Sequence, residues 1–99
     1  MKLTGKQRGY LRKLAQELDP CIMIGKSGLS EQLIKATDEA LDHHELIKVR
    51  FSDFKDEKKD LSLKLAQLTN SQIIGQIGHV AMLFRQNSDL EKRKIKIIE

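Results

Sequence analysis

Aromatic residues are scarce in this chain. It has no tryptophan, one tyrosine and three phenylalanines, 4% of 99 residues. So few rings argue against an extended platform for stacking flat ligands. Cysteine is nearly absent too: Cys21 stands alone and has no thiol in the chain to pair with, so nothing points to an oxidising compartment. With no second thiol and no adjacent base, Cys21 reads as a small core residue rather than a nucleophile. No apolar run approaches the roughly 20 residues that cross a bilayer. The first residues pass directly into a charged helical pattern, with no apolar signal segment. The expectation is a cytoplasmic protein with no membrane partner.

The residues present suit one soluble domain. Hydrophobic residues make up 39% and charged residues 32%, and 99 residues support a single hydrophobic core. The expected domain spans residues 1–99, with 86–99 set apart as a polar tail. Lysine and arginine number 18 against 14 acidic residues, a net charge of +4. That excess is compatible with a polyanionic partner but ordinary by itself, so the placement of the cations decides its meaning.

Leu3, Tyr10, Leu11, Leu14 and Leu18 recur at helical spacing, predicting a helix over 4–18 with Thr4 as its cap and Pro20 as its stop. Its outer sectors carry Lys6, Arg8, Arg12 and Lys13. Cys21 to Ile24 are four consecutive apolar residues, read as a short buried strand. Ser30 caps a second helix running to His44, with Leu33, Thr37, Ala40, Leu41 and His44 along its inner stripe. The adjacent His43 and His44 point in different directions and are read as capping and packing residues, not metal ligands. Leu46 to Phe51 alternate, with Ile47, Val49 and Phe51 on one face and Lys48 and Arg50 on the other. A charged connection over 52–59 precedes a third helix marked by Leu61, Leu65 and Leu68. Strands over 71–77 and 80–85 then form a hairpin through Gly78 and His79. Ile95 to Ile98 are expected to add an edge strand or to fray.

The order helix-strand-helix-strand-helix-strand-strand predicts a single α/β domain with helices packed on a four-stranded mixed sheet. Helix crossovers make neighbouring strands parallel, and the final hairpin adds an antiparallel pair. One sheet face is expected to stay partly open, with Lys48 and Arg50 upon it.

Gly25-Lys26-Ser27-Gly28 lies between the first strand and the second helix. Amides at a helix start lack intrahelical acceptors and, with the helix dipole, favour an anion such as a phosphate. Glycines allow close backbone approach, Lys26 adds a charge and Ser27 a hydroxyl. Spacing alone carries little, because Gly75-Gln76-Ile77-Gly78 repeats it inside the hairpin, where no helix follows. A nucleotide-binding P-loop would need glycine at the place of Pro20, and no strand ending in a magnesium-binding carboxylate stands out. Asp53, Asp56, Glu57 and Asp60 alternate with lysines, as on a solvated surface. The chain is therefore read as no enzyme, with no cofactor, metal or small-molecule substrate.

Three stretches stand out in order, Leu3-Thr4-Gly5-Lys6-Gln7-Arg8, Ile24-Gly25-Lys26-Ser27-Gly28-Leu29 and, most specific, Ala40-Leu41-Asp42-His43-His44-Glu45-Leu46-Ile47-Lys48-Val49-Arg50. Over roughly residues 1 to 85 the chain resembles the YhbY-like proteins, single CRM (chloroplast RNA splicing and ribosome maturation) domains. The resemblance implies a fold similar to the C-terminal domain of bacterial translation initiation factor 3. It further implies RNA binding and, for bacterial stand-alone members, association with precursors of the large ribosomal subunit. By motif position it makes Gly25, Lys26, Ser27 and Gly28 the RNA-contacting loop; the third stretch also carries His44, Glu45 and Lys48, with a structural role as the alternative for His44 and Glu45. Lys6, Arg12, Lys13 and Arg50 join the expected RNA-binding set on charge and geometry alone. Nothing carries over to the tail after Arg85. The expectation is a monomer that binds ribosomal RNA and assists large-subunit assembly. The rivals are an adaptor meeting an acidic protein through the open sheet face, and a DNA-binding protein.

Overall fold

Thr4 opens the first helix by a reciprocal exchange: its Oγ1 accepts from the Gln7 amide at 3.1 Å and the Thr4 amide donates to Gln7 Oε1 at 2.9 Å. The computed structural model describes residues 2–97. Helix α1 (Gly5–Ala15) ends three residues earlier than the predicted Leu18. Gln16, Glu17 and Leu18 instead form a tightened turn, each amide donating three residues back at 3.0–3.3 Å. Pro20 brings no donor and restricts Asp19, so the chain does not resume a helix beyond this turn.

The remaining elements follow the predicted order. They are β1 (Ile22–Ile24), α2 (Glu31–His44), β2 (Leu46–Phe51), a short 3₁₀ turn (Lys55–Glu57), α3 (Lys58–Leu68), β3 (Gln72–Ile77) and β4 (Val80–Phe84). The sheet order is β1-β2-β4-β3, with β1 parallel to β2 and both other pairings antiparallel. β3 thus runs in the same direction as β2 without being its neighbour. The hairpin places β4 between them, so the crossover through α3 spans one strand more than expected.

Each sheet face has its own core. Ile24, Ile47, Val49, Phe51, Ala81 and Leu83 pack against Leu41 of α2 and Leu65 of α3. On the other face Leu46, Ile74, Met82 and Phe84 pack against Leu3, Leu11 and Ala15. This second cover reaches only one end of the sheet, so β1 is not buried on both sides as its apolar run suggested. Met23 is 59% exposed. Two residues expected inside, Cys21 and His44, also lie at the surface. The Cys21 amide donates to Lys48 O at 3.1 Å at the start of the strand pairing. Partial burial pushes its thiol up, with a backbone hydrogen bond pulling more weakly the other way, so the thiolate is disfavoured.

The tail neither pairs as a strand nor frays over its described length. Ile95 and Ile97 pack on the second core, while Ile98 lies outside the described residues. Glu45, fully buried and left-handed at φ 63°, holds this segment in place. Its carboxylate accepts from the amides of Asn87 at 2.6 Å, Lys94 at 2.7 Å and Ile95 at 2.9 Å. Its carbonyl accepts from the Arg85 amide. Glu45 is therefore a structural member of the helix-to-strand stretch.

Candidate nucleic-acid interface

Because β1 and β2 are parallel, the segments that follow them emerge at one end of the sheet. The β3–β4 tip joins them there, since Arg50 pairs with Val80. The Gly25 carbonyl accepts from the Gly28 amide at 3.0 Å, closing a turn with Lys26 and Ser27 at its centre. Gly28 consequently has no free amide to offer, a change from the cradle expected of all four loop residues. The amides of Lys26 and Ser27 donate to no acceptor among the described residues, and both residues are exposed. Ser30 caps α2, its Oγ accepting from the Leu33 amide at 3.2 Å.

The two loop glycines differ in what the fold asks of them. Gly28 sits at φ 60° and is buried, and a Cβ there would stand 3.5 Å from the Phe54 ring. At Gly25 a Cβ would meet only Ser52 Oγ, at an ordinary 3.8 Å, and its φ lies outside the left-handed region. The loop is stapled to the segment after β2: the Ser52 and Asp53 amides and Ser52 Oγ all donate to Ile24 O, at 3.0–3.2 Å.

That segment brings cations the sequence reading treated as mere solvation. Lys58 Nζ donates to Gly78 O at 2.6 Å and lies 3.3 Å from His79 Nδ1, tying the start of α3 to the hairpin tip. His79 is held below the ordinary imidazole value by desolvation and then by the charges of Lys58, Lys55 and Arg50, with Asp56 acting against them. Beside it a cleft of about 510 Å³ is lined by Met23, Arg50, Ser52, Lys55, His79 and Val80, among others.

The predicted site residues divide accordingly. Lys26, Ser27 and Arg50 are exposed at this end of the molecule. Lys48 is half-buried and its Nζ donates to Leu18 O at 2.9 Å, so it anchors the turn after α1. Arg12 is exposed but donates to Ile74 O at 3.1 Å, crossing the sheet above Gly75. There a Cβ would come within 3.0 Å of its Cδ and 3.1 Å of Met82 Cε, so the glycine of the second Gly-x-x-Gly gives Arg12 room to pass. Lys6 and Lys13 are exposed on α1. The residues missed were Lys55, Lys58 and His79. The parallel pairing of β1 and β2 would have pointed to the first two, because segments after parallel strands share one sheet end. His79 required the strand order.

The CRS1 / YhbY (CRM) domain matches residues 3–85. The chain is 35% identical over 88 residues to a Bacillus subtilis protein named "Probable RNA-binding protein YqeI", covering 88% of this chain and 92% of that one. It is 35% identical over 96 residues to a Haemophilus influenzae protein named "RNA-binding protein", covering 96% and 94%. The solution structure of SAV1595 from Staphylococcus aureus superposes with a TM-score of 0.78 at 38% identity, covering 96% of this chain and all of that one. Matched over residues 3–85 and 35% identical to relatives along most of both chains, the chain belongs to the CRS1 / YhbY (CRM) domain family.

Proposed function

We propose that this protein binds RNA through the Gly25–Gly28 loop and the cations gathered beside it. The observation that carries the reading is the pair of unengaged amides at Lys26 and Ser27, in the turn that leads toward α2, within a cationic end of the sheet. Phosphate oxygens accept from such unengaged backbone amides, and the exposed Lys26 adds a full positive charge beside them. Lys26, Arg50 and Lys55 extend the contact along a backbone, while Lys6 and Lys13 lie on α1 as outlying contacts. Relatives named as RNA-binding support the choice of ligand. Recognition of this kind reads backbone and shape, and no catalytic step is part of it.

The finer reading is a monomer that binds ribosomal RNA in the cytoplasm and assists assembly of the large ribosomal subunit. Sucrose-gradient sedimentation of tagged protein from lysate at low salt, with and without ribonuclease, tests it. Ribonuclease-sensitive migration with large-subunit precursors is the expected result, and a peak only at the top of the gradient contradicts the ribosomal role. The exposed Met23 and Ile77, 59% and 68% accessible on the open sheet face, favour one second reading, an adaptor for a protein partner. Associations that survive ribonuclease would support it.

A further inference from the structure

Beyond the loop, the open end of the second sheet face carries a row of side chains fixed by strand register. Met23 pairs with Arg50, and Arg50 with Val80. Met23 is 59% exposed, Arg50 is exposed and Val80 half-buried. Adjacent strands lie about 4.8 Å apart, so the row spans about 10 Å, room for one flat ring system. Lys55 and His79 stand at the same cleft, and no carboxylate is among its lining residues. A partly apolar floor beneath a cationic rim suits a group that is flat and aromatic in the middle and anionic at its edges. A run of acidic residues alone would satisfy the rim but leave the floor uncovered, whereas a nucleotide carries the flat ring and the anion in one unit.

Resting on the RNA-binding reading above, we propose that this cleft receives an unpaired nucleobase of the bound RNA. The base lies over Met23 and Val80 with the Arg50 guanidinium against its face, and flanking phosphates meet Lys55 on one side and the Gly25–Gly28 loop on the other. Guanidinium planes stack on unstacked bases, and a thioether makes favourable contacts with aromatic rings. Paired bases bury their faces inside the duplex stack and cannot offer them to a sheet surface. The site therefore selects single-stranded or bulged RNA, although the chain has no aromatic platform.

Fluorescence anisotropy with two synthetic RNAs of equal length tests the proposal, one an intact single strand and the other carrying consecutive abasic nucleotides. The wild-type protein is expected to bind the intact strand about tenfold more tightly, within the range that base stacking supplies. Arg50→Lys keeps the charge but loses the plane, and Met23→Ala removes apolar floor at an exposed position. Each is expected to bring that ratio to within about twofold, and Met23→Ala, which lies outside the phosphate contacts, leaves abasic affinity near wild type. Equal wild-type affinity for the two strands, or an unchanged ratio in both variants, overturns the proposal. Wild-type protein that binds neither strand overturns the RNA-binding reading itself, and the proposal with it.

Discussion

Gly25 and Gly28 share a motif but answer to different demands. Gly28 needs its hydrogen side chain for a left-handed backbone beside the Phe54 ring. Gly28→Ala should therefore cost about 1–2 kcal/mol in denaturant-measured stability. Gly25 meets no such constraint from the fold, so Gly25→Ala should leave stability within about 1 kcal/mol of wild type. If Gly25 serves close approach of a phosphate backbone, the same substitution should weaken RNA binding severalfold. Full RNA affinity in Gly25→Ala would reduce this glycine to an accident of the turn. His79 supplies a residue-scale pH test. In the free protein it titrates below its ordinary 6.5, first through desolvation and then through Lys58, Lys55 and Arg50. A bound phosphate offsets those cations and raises the value, so binding takes up protons. Affinity should rise as pH falls through the bound-state value and level off below the free-state value. Nuclear magnetic resonance titration of the His79 ring with and without RNA checks the sign, and a value unmoved by RNA would place His79 outside the contact.

At the scale of elements, one side chain, Glu45, accepts from three of the tail's amides while Ile95 and Ile97 pack on the second core. Glu45→Ala leaves the amides of Asn87, Lys94 and Ile95 without their acceptor and should cost about 3 kcal/mol, the range for a broken buried network. Glu45→Gln is milder but sets an NH₂ against an amide N–H. In both variants those three amides should exchange with solvent faster and together; unchanged protection would mean that Ile95 and Ile97 hold the tail unaided. This latch also marks where sequence reasoning stops. Helix caps at Thr4 and Ser30, the alternation of β2 and the element order were legible because each is written in local spacing. A structural role for Glu45 was open on the resemblance, but its partners were not legible, because they lie 42–50 residues away. Met23 and Cys21 were misplaced for the opposite reason. Four consecutive apolar residues imply two covered faces, whereas α1 and the tail cover only the far end of the second face. Lys48 and Arg12 look alike in sequence to Arg50 and Lys13, and only the folded chain reveals carbonyls that engage the first two.

For the whole molecule, a net charge of +4 is too small to define a polyanion site by itself. What distinguishes one end is convergence: the Gly25–Gly28 loop, the start of α3 and the hairpin tip meet through Ser52, Lys58 and His79. Acidic residues elsewhere are engaged differently, with Asp38 and Asp42 paired to Arg85 at 2.5 and 2.9 Å. Binding through such a convergence should be salt-sensitive, with a log–log slope of about −0.7 per neutralised phosphate on single-stranded RNA. A slope near zero would be incompatible with a phosphate track. The most direct test compares RNA affinity of the wild-type protein with that of Lys26→Asp/Ser27→Asp, both shown by circular dichroism and thermal unfolding to keep the fold. These side chains are exposed, so the fold should survive the change. The account predicts a loss of RNA affinity of at least tenfold, because two carboxylates would stand where the phosphate binds. Wild-type affinity in the folded double variant would contradict it.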